Sequence, residues 1–154
     1  MYISPMTRSQ VFEALELHLK AAVKEGDRHL SSLQEALASE AKSTAGDKHE
    51  TGRAMIHQEM RQVNDTLQRS HSALRELNRM QKSEEPSSRV ASGVLVETTG
   101  PWVLMGLPLG KLDLDGTVVL GVSSEAPLAK AWFGAKPGDE VRMGPSTFLI
   151  KALH

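Results

Sequence analysis

The feature that most constrains the fold is a regular apolar repeat between residues 56 and 77. Its side chains recur at alternating steps of four and three residues: Ile56, Met60, Val63, Leu67, Ser70, Leu74 and Leu77. This spacing places them along one stripe of an α-helix, as in a coiled coil. A preceding segment carries a second stripe, formed by Leu15, Leu19, Ala22, Leu30, Leu33 and Leu37. Because each stripe must be buried against a partner, we predict an antiparallel coiled-coil hairpin of two helices.

The composition of the chain changes near residue 83. Gly and Pro are rare before this point and frequent after it, and both Trp102 and Trp132 lie in the second part. The polar sequence SEEPSS, residues 83–88, is typical of a linker between domains. We therefore predict a hairpin domain at residues 1–82, a linker at 83–88 and a second domain at 89–154.

The second domain has the pattern of a small antiparallel β-sheet. The segments RVASGVLVETT, PWVLMGL, KLDLDGTVVLGVSS, AKPGDEVRM and STFLIKAL contain apolar runs bounded by turn residues, which predicts strands. Asp115-Gly116 predicts a tight hairpin turn. The segment APLAKAWFG predicts one short helix that ends at Gly134, with Trp132 and Phe133 packed against the sheet. The predicted fold class is therefore α+β.

Composition excludes several classes of protein. The 154 residues carry a net charge of -1, which gives no overall attraction to nucleic acid or to an anionic membrane. The absence of cysteine excludes disulfides and thiolate metal sites. No apolar run approaches the roughly 20 residues of a membrane span, and the first residues lack the pattern of a signal peptide. We therefore expect a soluble, cytoplasmic protein.

The segment KSTAGDKHETGRAM, residues 42–55, joins the two predicted helices. Gly46 and Gly52 are predicted to interrupt the helices, and the carboxylates of Asp47 and Glu50 lie three residues apart. At a helix start, such a pair can form a capping box, with Asp47 as the N-cap. The same spacing places both carboxylates on one face of a helical turn, where they could bind one cation. The spacing alone favours the cap.

Two histidines flank this acid pair. His49 and His57 are eight residues apart, which differs from the i, i+4 spacing of a zinc-binding helix. We therefore expect both imidazoles to be solvated.

The order of these features resembles the GreA and GreB family of bacterial transcript cleavage factors. The sequence GDKHE, residues 46–50, resembles the family's Gly-Asp-x-x-Glu tip, and EAPLAKAWFGAKPGDEV, residues 125–141, is similar to its C-terminal pattern. The family pattern reads Ser-Pro-Leu-Gly-Lys-Ala-Leu-Leu-Gly, then a basic stretch and Gly-Asp-Glu-Val. This chain departs from the family at TGRAM after the tip and at Ala126, where the family has Ser, so the resemblance is to a divergent member.

The resemblance implies a transcription elongation factor with an FKBP-like domain at residues 89–154. Its hairpin would enter the secondary channel of RNA polymerase and present an acidic tip, residues 44–52. There Asp47 and Glu50 would help to hold a second Mg²⁺ shared with the polymerase, and so stimulate cleavage of backtracked RNA. The chain itself would be no enzyme, because it acts in trans, and no cofactor is expected in the isolated protein.

The resemblance also implies partner contacts. Lys42, Lys48 and Arg53 would face the 3′ end of the nascent RNA, and Glu125 and Pro127 would contact the polymerase, although Pro127 could simply start the short helix. We expect a monomer with no membrane partner. Two alternatives remain open: a Gre-like polymerase regulator or inhibitor without cleavage activity, and a coiled-coil interaction protein unrelated to transcription, whose acids only cap a helix.

Overall fold

The computed structural model describes residues 6–41, 46–83 and 87–154, without the side chains of residue 41 and residues 46–49. Within these ranges the protein is α+β: two long helices precede a six-stranded mixed sheet and a short third helix. The elements are α1 (Arg8–Ala41), α2 (Gly46–Gln81), β1 (Leu95–Thr98), β2 (Trp102–Met105), β3 (Gly110–Leu114), β4 (Thr117–Val122), α3 (Pro127–Trp132), β5 (Glu140–Met143) and β6 (Ser146–Leu153). No described helix is long and apolar enough to cross a membrane.

The chain forms two compact units. Unit 1 comprises Met1–Leu15 and Arg75–His154, and unit 2 comprises Glu16–Leu74. The boundary therefore crosses α1 and α2, and the outer ends of both helices belong with the sheet. Phe12 and Leu77, one from each helix end, are each only 1% exposed. The compact units thus do not coincide with the predicted domains, and the division at residues 83–88 stays a prediction.

In unit 2, the two apolar stripes face each other. Leu33, Val63 and Leu67 are buried, with Val23, Leu30, Ile56 and Met60 packed around them. The helices run antiparallel, because Gly26 lies beside Leu67 whereas Glu40, later in α1, lies beside the earlier Gly52 of α2. The predicted pairing is confirmed.

The glycines at the turn behave differently from the prediction. Gly52 lies inside α2, which begins at Gly46, so Gly52 does not interrupt the helix. A long helix with a buried apolar stripe tolerates one glycine, because the packing of that stripe outweighs the cost of the low helix propensity of glycine. Asp47 is the second residue of α2, so it lies in the first turn and not at the predicted N-cap position.

The sheet consists of three hairpins in the order β3-β4-β2-β1-β6-β5. The prediction of an antiparallel sheet is wrong for one pair, because β2 and β4 run parallel, with Trp102 opposite Val119 and Met105 opposite Val122. The reason lies in the β3–β4 hairpin. β3 alternates apolar residues with Lys111 and Asp113, which suits a solvated edge. The more apolar β4 therefore takes the inner position beside β2, and this fixes the parallel direction.

The predicted turns and strands of this unit are confirmed. Asp115 and Gly116 both have positive φ, at 52° and 90°, as a two-residue type I′ turn between β3 and β4 requires. Gly134, with φ of 87°, follows α3 directly after the C-cap residue Phe133. Each of the five predicted apolar segments contributes at least one strand.

Helix α3 packs one aromatic side chain into the sheet and leaves the next outside. Trp132 is 1% exposed, and its Nε1–H donates a hydrogen bond of 2.9 Å to the carbonyl oxygen of Arg142. Phe133 is 37% exposed, so the prediction that it packs against the sheet is wrong. Consecutive residues of a helical turn point about 100° apart, so burial of Trp132 turns its neighbour outward.

Candidate functional site

The first candidate site lies at the turn of the helical hairpin. Asp47 and Glu50 are the second and fifth residues of α2, so the backbone places them three positions apart in its first turn and a half. Glu50 is exposed. The side chain of Asp47 lies outside the described residues, so the convergence of the two carboxylates stays a prediction.

The basic residues predicted to face RNA are described only in part. Arg53 is exposed on the second turn of α2. Lys42 lies outside the described residues, as does the side chain of Lys48. His57 is exposed, as predicted, whereas the side chain of His49 belongs to the part not described.

A third carboxylate reaches this region from the other helix. Glu40, the second-last residue of α1, is half-buried. A Cβ atom placed on Gly52 would lie 3.5 Å from Glu40 Cδ, 3.5 Å from its Oε1 and 3.6 Å from its Oε2. The whole carboxylate group therefore faces the bare backbone of Gly52. Sequence reasoning missed Glu40 because its spacing relates it to no motif; only the antiparallel register of the helices brings it to α2.

The oxygen ligands at this turn suit a hard cation. Carboxylates are the protein ligands that Mg²⁺ prefers, usually one or two of them together with water and phosphate. The described residues include no group of three histidine, aspartate or glutamate side chains arranged to hold a metal. Asp47 and Glu50 could supply two of the oxygen ligands of such an ion.

The second candidate site lies at the start of α3. Glu125 is exposed, and its carboxylate Oε2 lies 3.7 Å from Lys130 Nζ. Pro127 is the exposed first residue of the helix, which is the position that proline favours. The N-cap residue Ala126 makes no side-chain hydrogen bond to the helix. The predicted partner-binding residues are thus both accessible, and Pro127 also starts the helix.

A cation at the start of α1 has a structural role that the sequence did not suggest. Arg8 Nη1 donates to the carbonyl oxygens of Gly93 at 2.7 Å and His154 at 3.0 Å, and Nη2 donates to that of Met80 at 2.9 Å. The guanidinium also lies 4.2 Å from the ring centroid of Phe12. Burial lowers the pKa of Arg8. The sequence contained one indication of this role. A cation in the first turn of a helix interacts unfavourably with the helix dipole, so a compensating contact outside the helix is expected.

A polar cavity of about 770 Å³ lies beside Arg8 in unit 1. Its wall includes five serines, Arg79 and His154. The cations at this wall are already engaged, because Arg8 binds three carbonyl groups and Arg79 hydrogen-bonds the carboxylate of Glu76. That hydrogen bond lowers the pKa of Glu76. The cavity therefore does not offer an uncommitted pair of charges to an anionic ligand.

Comparison with known proteins gave no family assignment. No protein-family model matches this chain, and no curated protein matches it either.

Proposed function

We propose that this protein is a Gre-type transcription elongation factor, which binds RNA polymerase and stimulates cleavage of backtracked RNA. The observation that carries the proposal is the hairpin turn: two antiparallel helices of 34 and 36 residues, with Asp47 and Glu50 in the first turn and a half of the second. We further propose that residues 89–154 form an FKBP-like domain, supported by their sheet and short helix, and that the protein acts in the cytoplasm.

The acid pair is the chemical centre of the proposal. A Mg²⁺ ion held between this chain and the polymerase would stabilise charge on the attacking and leaving oxygens of RNA hydrolysis. Glu50, which is exposed, can offer carboxylate oxygens to a partner without first breaking a buried contact. Asp47 precedes Glu50 by three residues in α2 and would share the same ion. Arg53 is exposed on the next turn and would approach RNA phosphates, with Lys42 and Lys48 in the same role.

The exposed surface at the start of α3 would supply affinity for the polymerase. Glu125 and Pro127 are both accessible, and the carboxylate of Glu125 approaches Lys130 Nζ at 3.7 Å. Such an exposed pair contributes little to folding. A partner can therefore engage Glu125 at low cost.

Reconstituted elongation complexes test the proposal. Stalled, backtracked complexes with Mg²⁺ should release short 3′ RNA fragments faster with this protein than with polymerase alone. Asp47→Ala and Glu50→Ala should each reduce that stimulation at least tenfold, as expected when a metal-directed carboxylate is removed. Glu35→Ala is the matched control, because Glu35 is an exposed acid of α1 in the same hairpin. Its stimulation should equal that of wild type, and all variants should retain helical circular dichroism.

Binding separates the alternatives. Glu125→Arg should weaken association with polymerase, while Asp47→Ala should leave association unchanged. Association without any fragment release would replace the proposal with that of a polymerase regulator or inhibitor. If the protein does not associate with polymerase at all, the remaining alternative is a coiled-coil interaction protein unrelated to transcription.

A further inference from the structure

We propose that this chain forms a symmetric dimer through the free edge of β3, in which two copies pair β3 with β3 in antiparallel orientation. The partner that fits this surface is therefore a second copy of the same chain. The pairing joins two six-stranded sheets into one of twelve strands. It differs from the monomer expected from the sequence, and it does not depend on the proposed function.

The first step of the argument is the hydrogen bonding of the β3 backbone. β3 is the outermost strand of the described sheet and lies next to β4. In an antiparallel pair, successive residues direct their N–H and C=O groups alternately toward the partner strand and away from it. Leu114 precedes the two-residue turn, so its backbone groups bond β4, and those of Leu112 do the same. The backbone groups of Lys111 and Asp113 therefore point away from β4, toward the free edge.

Hydrogen bonds at the ends of β4 agree with this alternation. Val122 accepts a hydrogen bond of 2.8 Å from Gly106, which follows β2, whereas the adjacent Gly121 accepts one of 3.3 Å from Leu109, which precedes β3. Adjacent residues of β4 thus direct their carbonyl groups to opposite neighbours. Gly121 faces β3, and the residues two and four positions before it, which lie opposite Leu112 and Leu114, face β3 as well.

The second step is the charge pattern along this edge. Lys111 and Asp113 are both exposed and lie on the same face of β3. Among the described residues, neither side chain forms an ion pair. When β3 pairs with its own copy about a twofold axis at Leu112, Lys111 of each copy lies opposite Asp113 of the other. The edge is therefore complementary to itself.

The third step is that backbone and side chains favour the same register. With the axis at Leu112, each facing pair of Lys111 and Asp113 can exchange two backbone hydrogen bonds. The half-buried side chain of Leu112 then meets its own copy at the closely spaced, non-hydrogen-bonded position. An axis at Lys111 or at Asp113 would instead place like charges opposite each other, which is destabilising.

The other edge of the sheet carries a similar charge pattern but is blocked. Glu140 and Arg142 of β5 are exposed, and the register with β6 directs their backbone groups away from β6. The carbonyl oxygen of Arg142 already accepts the 2.9 Å hydrogen bond from Trp132 Nε1–H. In the described part of the chain, no loop backbone group bonds Lys111 or Asp113 in this way. We therefore assign the interface to β3.

The shortness of the edge sets the expected affinity. β3 has five residues, and a single short strand buries less than the roughly 1,200 Å² of stable complexes. We expect a reversible dimer with a dissociation constant on the order of 100 µM.

Sedimentation velocity over a concentration series tests the dimer. Wild-type protein should change from monomer to dimer between about 10 µM and 1 mM. Lys111→Glu turns both attractive pairs into like-charge pairs and should weaken association about tenfold. Asp113→Asn keeps the oxygen that accepts the Gly116 N–H but loses the charge, and should weaken association about threefold. Glu140→Lys, the matched charge reversal at the β5 edge, should have no effect.

Mixing two charge variants tests the register. Lys111→Glu carries two acids at this edge and Asp113→Lys carries two lysines, so each repels its own copy and attracts the other variant. The mixture should therefore dimerise about as tightly as wild type, whereas each variant alone should not. A mixture that stays monomeric would overturn the pairing. Asp113→Lys loses the bond to Gly116 N–H, so its fold is checked by circular dichroism; if it is unfolded, the exchange measurement decides.

Amide hydrogen exchange followed by NMR locates the interface. The N–H groups of Leu112 and Leu114 should be protected at every concentration, because they bond β4. Those of Lys111 and Asp113 should exchange rapidly in dilute protein and gain protection as the dimer forms, and Lys111→Glu should abolish that gain. A monomer at 1 mM, association that Lys111→Glu does not weaken or that Glu140→Lys does, or a dimer without this added protection would each overturn the inference.

Discussion

Two glycines in the hairpin helices should respond in opposite ways to the same substitution. Gly26 and Gly52 both lie within helices of unit 2, where alanine is preferred over glycine by about 1 kcal/mol. Their surroundings differ. A Cβ on Gly26 would lie 2.6 Å from Leu67 Cδ2 and 2.9 Å from its Cγ, whereas a Cβ on Gly52 would be in ordinary contact with Glu40 at 3.5 Å.

These distances set the expected magnitudes. Leu67 is only 7% exposed, so its side chain has little room to withdraw, and overpacking of this kind costs about 1–3 kcal/mol. After the helix-propensity gain, Gly26→Ala should lower the free energy of unfolding by about 1 kcal/mol. Gly52→Ala should raise it by about 0.5–1 kcal/mol. Because the propensity gain is common to both variants, the difference between them measures the collision with Leu67.

Urea unfolding followed by circular dichroism at 222 nm provides the measurement, since the long helices dominate that signal. On a Leu67→Ala background, where the collision partner is absent, Gly26→Ala should become stabilising by about 1 kcal/mol. Equal stabilisation by Gly26→Ala and Gly52→Ala in the wild-type background would refute the close approach of the helices at Gly26.

Three further variants test unit 1 by the same unfolding measurement, with Trp fluorescence as a second probe. Arg8→Lys keeps the positive charge, but a lysine ammonium cannot reach three carbonyl groups as the planar guanidinium does. We therefore expect it to lower the free energy of unfolding by about 2 kcal/mol. An unchanged free energy would mean that these hydrogen bonds do not stabilise the fold. Ala126→Ser should stabilise α3 by about 1 kcal/mol, because the N-cap has extended φ and ψ and lacks a side-chain acceptor; Ala131→Ser, inside the helix, should not. Trp132→Phe removes the donor to the Arg142 carbonyl and should cost about 1–3 kcal/mol; a neutral result would contradict this bond.

The sequence predicted those features that depend on local spacing. The alternating steps of four and three from Ile56 to Leu77 predict a buried stripe, and none of its seven residues is exposed. Asp115-Gly116 predicts its turn because few residue pairs accept positive φ at both positions. The end of α3 at Gly134 follows from the same preference of glycine.

Features that depend on how distant segments meet were beyond such reasoning. β2 and β4 are parallel because β4, and not β3, is the strand of the β3–β4 hairpin that lies next to β2. Which of the two strands takes this inner position depends on burial over the whole sheet. The contacts of Arg8 with Gly93 and His154 join residues 85 and 146 positions apart. Glu40 reaches Gly52 only because of the helix register. At the acid pair, the sequence predicts which residues to test, and Glu50 is exposed as that role requires.

The position of β6 has a consequence for how the protein forms during translation. β6 lies between β1 and β5 and pairs with both, so β5 can join the sheet only when residues 146–153 exist. A ribosome must therefore translate residues 146–153 before β1 gains its second neighbour. The helical segment of unit 2 needs only residues up to 74 and can pair much earlier. Nascent chains arrested before residue 146 should accordingly show a protected helical hairpin and a protease-sensitive β5 segment.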